Sequence, residues 1–414
     1  MKMHTLIFPP QMFPSLGMLR TQKGGGIMMR SKTRLFTTLM AISLMLSSVA
    51  AAAPLEETLP IEITSPSVIL AETATGTVIF EKNADERREV ASVTKLMTAL
   101  LVLEALEDHD VALTDQVTVS QCAAAMKGSQ ALLDAGAVYT LEDLLRSMII
   151  ASANDSAVAL AEYLSGTEEN FVQHMNERAA ALGMTNTCYV NCTGYPQEGQ
   201  YTTARDVMTL SCEVSRHPTY HTYASKWLDT LVHPSGRVTD LTNTNRLVRF
   251  YDGCDGFKTG STDAAKFCVS ATAQKNGMRL VAVVLGCENS QRRFNEARSM
   301  LDYGFATYQR VEIARKGDML GESLAVQRGS ADSVELMLGS GLSMLLRTGQ
   351  TSDLRIEVSL PESIDAPVTA GQIVGIARVL MKDQVIAKLN VVAAGDVPLP
   401  GFIEGFYRIL DMWR

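Results

Sequence analysis

The chain has 414 residues, of which 46% are hydrophobic and 20% are charged, and its formal net charge at pH 7 is −8. This length allows two domains, and the composition is typical of a globular protein. A chain with net negative charge is a poor partner for nucleic acid, because phosphate binding requires a basic patch. The cysteines and histidines show no zinc-ligand spacing, so we expect neither a metal nor another cofactor.

We expect residues 1–52 to comprise an N-terminal extension and a signal peptide. Basic residues at positions 30, 32 and 34 precede an uncharged, largely apolar run at 35–49, with small residues behind it. This order is typical of an export signal that is cleaved near residue 51 or 52. An uncleaved membrane anchor is the alternative, although the apolar run is short for a full span.

Seven cysteines follow the predicted signal, an odd number that cannot pair completely within one chain. A chain of this size does not need a disulfide framework. We therefore expect most of these cysteines to be small buried side chains. Cys188 and Cys192 are near enough in sequence to form a disulfide if their loop permits it.

The pattern over residues 60–308 predicts one mixed domain, with alternating apolar residues in strands and helical spacing elsewhere. Strands come first, helices follow, and further strands and a last helix close the domain. This order indicates an α+β fold, an antiparallel sheet with helices from both chain ends packed on it. The predicted elements are two short strands joined at Thr75-Gly76, a helix from Ser92 to about Glu107, two helices interrupted near Ser152 to Asp155, a helix closed by Gly183, a strand at 256–262, a hairpin turning at Lys275-Asn276-Gly277 and a helix at 291–308.

The pattern changes after about residue 311. Short alternating runs separated by Gly, Pro and Asp predict a small all-β domain from about 312 to 396. A hinge with Pro and Gly then leads to residues 401–414, whose apolar positions recur at helical spacing. This tail predicts an amphipathic helix that anchors the protein in a membrane interface. A helix docked on its own domain is the alternative.

Two complementary side chains lie at the head of the predicted helix that begins at Ser92. Lys95 follows three residues later, which places its amine on the same helix face within reach of the Ser92 hydroxyl. A serine becomes a nucleophile only when a base takes its proton. Lysine can be that base only if burial or a neighbouring cation lowers its pKa far below the usual value. Such a pair is common by chance, so alone it is weak evidence.

A second polar group, Ser152-Ala153-Asn154, falls at the break between two predicted apolar helices. From there the Ser152 hydroxyl would relay a proton and the Asn154 amide would hold a substrate carbonyl. A simple helix cap is the alternative, because Ser and Asn are both good caps.

The third group is Lys258-Thr259-Gly260, within a predicted strand. Because side chains alternate along a strand, Lys258 and Gly260 share one face. A glycine there would let a substrate backbone lie against the strand. Lys258 would add positive potential and help to lower the pKa of Lys95, and Thr259 would donate a hydroxyl. Alone, this tripeptide is common at protein surfaces.

In this order the three groups match S-x-x-K, S-x-N and K-T-G, the motifs of penicillin-binding proteins and class A β-lactamases. From about Ser67 to the C-terminus the sequence resembles the D-alanyl-D-alanine carboxypeptidases, the low-molecular-mass penicillin-binding proteins that trim peptidoglycan stem peptides. The resemblance includes the stretches ASANDSAVALAEY, YDGCDGFKTGSTDAAKFCVSATA and RRFNEARSMLDYGF. It implies a β-lactamase-like sheet with helices followed by a small β-domain, β-lactam antibiotics as covalent inhibitors, and a location at the extracytoplasmic face of the bacterial cytoplasmic membrane.

The resemblance also implies catalytic roles for three residues. Ser92 attacks the carbonyl of the penultimate D-alanine and becomes the acyl-enzyme. Lys95 accepts its proton, and Ser152 relays a proton to the leaving amine.

Substrate binding is implied for further residues. Asn154 orients the substrate, and Lys258 and Thr259, beside Gly260, lie near its terminal carboxylate. The backbone N–H groups of Ser92 and Ser261 form the oxyanion hole. Arg293 falls where the family often has an arginine that helps to bind the carboxylate.

The sequence departs from the family pattern at the cleft wall. Val90 stands where proline is frequent, and Cys192 and Thr193 stand where proline and histidine are common. The three motifs are intact. The altered turn would therefore change substrate preference or rate without removing the catalytic groups.

Three alternatives share this fold. A β-lactamase needs an efficient way to activate water, which class A enzymes provide with a glutamate between the second and third motifs. Glu168, Glu169 and Glu198 lie in that interval, but none stands in a context typical of that loop. A D,D-endopeptidase acting on cross-links has the same acylation chemistry. A non-catalytic wall-binding or sensor protein would be identified by its failure to acylate.

Overall fold

The structure is a computed structural model that describes residues 4–8 and 61–401, with strand β1 (His4–Phe8) as its first element. The chain divides into two compact units. The larger unit is Ala53–Arg310, and the smaller unit combines Met1–Ala52 with Val311–Arg414. The predicted signal sequence at 30–53 and the predicted tail helix lie outside the described residues.

The larger unit is built from strands and helices that alternate along the chain. Its strands are β2 (Ser67–Glu72), β3 (Val78–Lys82), β4 (Gln116–Thr118), β5 (Val138–Thr140), β6 (Leu228–Val232), β7 (Val238–Thr242), β8 (Cys254–Thr262), β9 (Lys266–Lys275) and β10 (Met278–Cys287). Its α-helices are α1 (Lys95–Glu107), α2 (Gln121–Ala124), α3 (Leu141–Ile150), α4 (Asn154–Ser165), α5 (Glu168–Ala181), α6 (Ala204–Val214), α7 (Pro218–Ala224), α8 (Leu247–Phe250) and α9 (Ser290–Thr307), and a 3₁₀ turn, η1 (Ala91–Thr94), precedes α1.

A five-stranded antiparallel sheet in the order β3-β2-β10-β9-β8 forms the centre of this unit. Helix α9 covers one face, since a Cβ on Gly304 would meet side chains of Leu70 and Leu280. The other face, with Ile69 and Val281, joins the apolar core that contains α1. Both faces are therefore buried, which explains why β2 and β10 are almost continuously apolar. Strand β8 lies at the edge of the sheet.

The predicted elements of the larger unit are confirmed. The helix predicted from Ser92 begins as the 3₁₀ turn η1 and continues as α1, and the break between α3 and α4 spans residues 151–153. The hairpin of β9 and β10 turns at Asn276 and Gly277, both with positive φ, as expected for an Asn-Gly turn.

The smaller unit is all-β over its described residues, apart from the 3₁₀ turn Gln350–Asp353. The strands after β1 are β11 (Tyr308–Ala314), β12 (Met319–Gln327), β13 (Ser333–Leu338), β14 (Leu342–Arg347), β15 (Leu354–Leu360), β16 (Ser363–Asp365), β17 (Ile373–Met381) and β18 (Gln384–Ala393). The seven-stranded sheet has the order β1-β15-β17-β18-β13-β12-β16, and β11 pairs with β14. Buried Val, Leu and Ile side chains from these strands form a separate core.

All seven cysteines are free thiols, so the disulfide considered for Cys188 and Cys192 is not present. Cys192, Cys254, Cys268 and Cys287 are buried, whereas Cys122 is exposed. Within the described ranges, no helix combines the length and apolar character needed to cross a membrane.

Candidate active site

The 3₁₀ turn η1 presents Ser92 to Lys95. Lys95 Nζ lies 3.0 Å from Ser92 Oγ. The turn is tightly bent, because Ala91 has a φ of 49°, a conformation that is uncommon for a residue with a Cβ. The three-residue offset seen in the sequence thus produces a direct hydroxyl–amine contact.

Lys95 is a buried cation whose three donor positions are all used. It is 1% exposed. Besides Ser92, its Nζ donates to Asn154 Oδ1 at 2.5 Å and to the carbonyl of Thr193 at 2.7 Å. Burial lowers the pKa of Lys95 to about 7, against opposing effects of Cys192 and Asp155. Near neutral pH a substantial fraction of this amine is therefore unprotonated and able to accept a proton.

Ser152 lies in the break between α3 and α4, where it is 3% exposed and has a φ of 63°. Positive φ in a buried serine is strained and persists only where the surroundings enforce it. The cap interpretation is wrong, because the N-cap of α4 is Ala153 and has no side-chain cap bond. The strained backbone is consistent with a functional position.

Asn154 connects Lys95 to the loop that precedes β5. Its Oδ1 accepts from Lys95, and its Nδ2 donates to the carbonyl of Lys127 at 2.5 Å. Both amide atoms are thus engaged within the protein. Asn154 orients the lysine directly, and its expected contact with a substrate carbonyl stays a prediction.

Lys258 on β8 is a second buried cation, 1% exposed, and its Nζ has no hydrogen-bond partner among the described residues. Its pKa is lowered well below the usual range, chiefly by burial and further by Lys95 and Arg293. Burial is the largest effect on the pKa of both lysines, and repulsion between their ammonium groups, which is mutual, further disfavours having both charged. An unpaired cation of this kind favours an anion beside it.

Gly260 allows β8 to approach η1. A Cβ there would lie 2.1 Å from the carbonyl oxygen of Val90 and 3.2 Å from the backbone N of Ser92. The glycine was expected to make room for a substrate backbone, but the structure gives that room to the chain before Ser92. The next residue, Ser261, is exposed at the sheet edge.

Two further predicted residues already have protein partners. Thr259 Oγ1 donates to Thr244 Oγ1 at 2.8 Å. Arg293 is 7% exposed, and its Nη1 donates to the carbonyls of Gly260 and Cys268 at 2.9 and 3.0 Å. Arg293 therefore supports the backbone of β8 and β9 next to Gly260.

The turn at residues 191–194, expected at the cleft wall, contacts Lys95 through the carbonyl of Thr193. Asn191 Oδ1 accepts from the backbone N–H groups of Thr193 and Gly194. A Cβ on Gly194, whose φ is 77°, would lie 1.9 Å from the carbonyl of Ala91. The contact to Lys95 comes from a backbone carbonyl, which any residue supplies, so Thr193 in place of the usual histidine preserves it.

Three glutamates were considered above as groups that could activate water in a β-lactamase. Glu168 Oε1 accepts from the backbone N–H of Cys192 at 2.9 Å, and Glu169 and Glu198 are exposed. Within the described residues no group of three or more His, Cys, Asp or Glu side chains is placed to hold a metal ion.

Replacing Gly260 by alanine should impair Ser92 without unfolding the protein. The added methyl group would force β8 and the carbonyl of Val90 apart and displace the hydroxyl. We expect the rate of benzylpenicillin labelling of Ser92 to fall at least about tenfold. The control is Gly395→Ala, where a Cβ would meet nothing within 4 Å. Equal labelling rates for the two variants, measured by mass spectrometry, would refute the close-approach argument.

Comparison with known proteins places the chain in a family. A family model described as D-alanyl-D-alanine carboxypeptidase matches residues 50–289, and one described as penicillin-binding protein 5, C-terminal domain, matches residues 308–399. The D-alanyl-D-alanine carboxypeptidase DacF of Bacillus subtilis is 37% identical over 349 residues, 84% of this chain and 89% of the relative. DacC of Escherichia coli is 34% identical over 366 residues, 84% of this chain and 88% of the relative.

A solved structure of penicillin binding protein 5 from Haemophilus influenzae has a TM-score of 0.72 and 29% sequence identity, and the match covers 83% of this chain and all of that one. The mixed sheet with helices and the all-β domain after it thus match proteins of known family over most of this chain. This chain belongs to the D-alanyl-D-alanine carboxypeptidase family of serine peptidases.

Proposed function

We propose that the protein removes the terminal D-alanine from peptidoglycan stem peptides through an acyl-enzyme on Ser92, and that β-lactams acylate the same serine. One observation carries this proposal: the Ser92 hydroxyl lies 3.0 Å from a buried lysine whose pKa is lowered to about 7. A hydroxyl beside an amine that is partly unprotonated at neutral pH is an activated nucleophile. The names of the relatives support the same activity.

The acylation step uses Lys95 as the base. Its unprotonated amine takes the Ser92 proton while Oγ attacks the carbonyl carbon between the two D-alanines. The N–H groups of Ser92 and Ser261 stabilise the resulting oxyanion. The C–N bond then breaks, Ser152 passes a proton to the leaving amine, and free D-alanine departs. Water hydrolyses the ester and restores Ser92.

The terminal carboxylate of the substrate binds at Lys258. Its Nζ is buried and without a protein partner in the described part of the chain, which is an unfavourable state that a carboxylate relieves. Thr259 and Arg293 support this carboxylate site through strand β8. Thr259 lies beside Lys258, and Arg293 holds the carbonyl of Gly260 in place.

The alternatives have less support. Glu168 is engaged by the backbone of Cys192, so it is poorly placed to activate water as a β-lactamase requires. The intact contact between Ser92 and Lys95 disfavours a non-catalytic binding protein. A D,D-endopeptidase uses the same catalytic groups, and a substrate assay separates it from a carboxypeptidase.

Ser92→Ala should abolish the covalent benzylpenicillin adduct and the release of D-alanine from a stem pentapeptide, and Lys95→Ala should reduce both nearly as much. Intact mass and D-alanine assays measure these effects, with circular dichroism to confirm folding. A cross-linked peptide dimer serves as the parallel substrate. Faster cleavage of the dimer would establish an endopeptidase, rapid turnover of the drug would establish a β-lactamase, and no adduct would exclude the catalytic proposal.

The acylation rate should depend on the protonation of Lys95. Its pKa is lowered to about 7, so the active, unprotonated form is lost as the pH falls below that value. We expect the rate constant for benzylpenicillin acylation to fall about tenfold per pH unit on the acid side and to level off on the alkaline side. Lys95→Arg is the matched control, because a guanidinium stays protonated and should not recover at high pH. A flat wild-type profile would contradict this role.

We also propose that the protein is exported by the segment at 30–53 and held at the membrane surface by the tail at 401–414. The relatives are named as carboxypeptidases that match most of this chain, and a substrate in the cell wall requires an extracytoplasmic location. The order of basic, apolar and small residues supports export. The helical spacing of apolar residues in the tail supports a helix lying in the interface.

Removal of residues 402–414 tests the anchor. The mature chain should sediment with vesicles of mixed zwitterionic and anionic lipid, and the truncated chain should remain in the supernatant. Phe406→Asp should also weaken sedimentation, because it places a charge on the apolar face of the predicted helix. Equal sedimentation of full-length and truncated chains would favour a tail docked on its own domain.

A further inference from the structure

Asp155, the residue after Asn154, is a fully buried carboxylate at the start of α4, with 0% exposure. It accepts hydrogen bonds from the backbone N–H groups of Ala131 at 2.9 Å, Leu133 at 3.1 Å and Ser156 at 2.9 Å. No arginine, lysine or histidine hydrogen-bonds to it in the described part of the chain. Buried carboxylates are costly, and this one is compensated by backbone donors from a loop distant in sequence.

The same loop is held by the neighbouring residue. Asn154 donates through its backbone N–H to the carbonyl of Ser129 at 2.7 Å and through Nδ2 to that of Lys127. Gly128 passes so close that a Cβ there would lie 2.9 Å from Asn154 Nδ2. Asn154 therefore fixes the first half of the loop 127–133, and Asp155 fixes the second half. Any shift of the loop would shift the amide that holds Lys95.

Asp155 is also the anion on the α4 side of Lys95. Other titratable groups face Lys95 from two more elements. The turn at 191–194 presents Cys192, which interacts with Glu168, and β8 presents Lys258, which interacts with Arg293. Burial disfavours the charged form of Lys95. The carboxylate of Asp155 opposes this effect of burial: it raises the pKa of Lys95 and so brings it closer to neutral pH. A base is most effective when its pKa lies near the working pH.

We propose that Asp155 is a positioning residue for the reaction. It holds loop 127–133 and Asn154 in place, and it supplies a negative charge on the α4 side of Lys95, the proposed base. This inference rests on the proposed function, because it assigns a purpose to the proton transfer between Ser92 and Lys95. Asp155 acts through Asn154 and Lys95 and does not itself contact substrate.

The substitution Asp155→Asn removes the charge and keeps the shape. Acylation of Ser92 by benzylpenicillin should still occur, with a plateau rate constant lower by roughly ten- to a hundredfold because Asn154 is less well placed. The acid limb of the pH–rate profile should move to lower pH, because loss of the anion lowers the pKa of Lys95. A purely structural residue would lower the plateau without moving the limb.

Asp206→Asn is the matched control. Asp206 is also a buried carboxylate of the larger unit, 6% exposed, and it accepts from the backbone N–H of Asn186 and from Thr187 Oγ1, away from Lys95. This variant should leave the acid limb where the wild type has it. If folded Asp155→Asn has the same acid limb as a normally acylated wild type, this inference is wrong while the proposed function stands. A wild type that is not acylated would overturn the proposed function as well.

If Asp155→Asn does not fold, amide hydrogen exchange of the wild-type protein replaces it. The amides of Ala131 and Leu133 should exchange at least roughly a hundredfold more slowly than that of Leu132, whose side chain is exposed between them. Equal exchange of the three amides would mean that Asp155 does not hold the loop and would refute the inference.

Discussion

Burial of the Lys95 ammonium is the constraint on which the rest of the site depends. A charged amine removed from water is destabilising by several kcal/mol unless hydrogen bonds compensate it. Lys95 obtains three acceptors from separate parts of the chain: Ser92, Asn154 and the carbonyl of Thr193. These contacts determine where α1, α4 and the 191–194 turn lie. The same burial lowers the pKa to about 7, so the feature that is costly for folding also makes the lysine a usable base.

The backbone before Ser92 is held by close contacts from two sides. A Cβ on Gly260 would collide with the carbonyl of Val90, and a Cβ on Gly194 would collide with that of Ala91. Strand β8 and the 191–194 turn thus enclose a strained turn in which Ala91 has positive φ. Strain of this kind persists only when the surrounding structure enforces it, and here it fixes the serine hydroxyl against its base.

Lys258 and Arg293 are also buried, but they differ in their protein partners. Arg293 holds the carbonyls of Gly260 and Cys268 through Nη1, although its buried Nε has no partner among the described residues. Lys258 has no such partner in the described residues. In the proposed mechanism the substrate carboxylate supplies that partner, so stability given up in the free enzyme becomes binding energy. Active sites commonly trade stability for function in this manner.

The sequence by itself determined the order of the elements, the α+β and all-β character of the two parts, and the three motifs. These follow from short-range patterns: apolar spacing, an Asn-Gly turn, and a serine and lysine one helical turn apart. Only the tertiary structure decided that Gly260 makes room for Val90, that Asn154 holds Lys95, and that Thr193 contributes through its backbone carbonyl. The physical reason is that these contacts join residues about 60 to 170 positions apart. Their partners are often backbone atoms, which every residue type carries, so no pattern of side chains reveals them before the chain is folded.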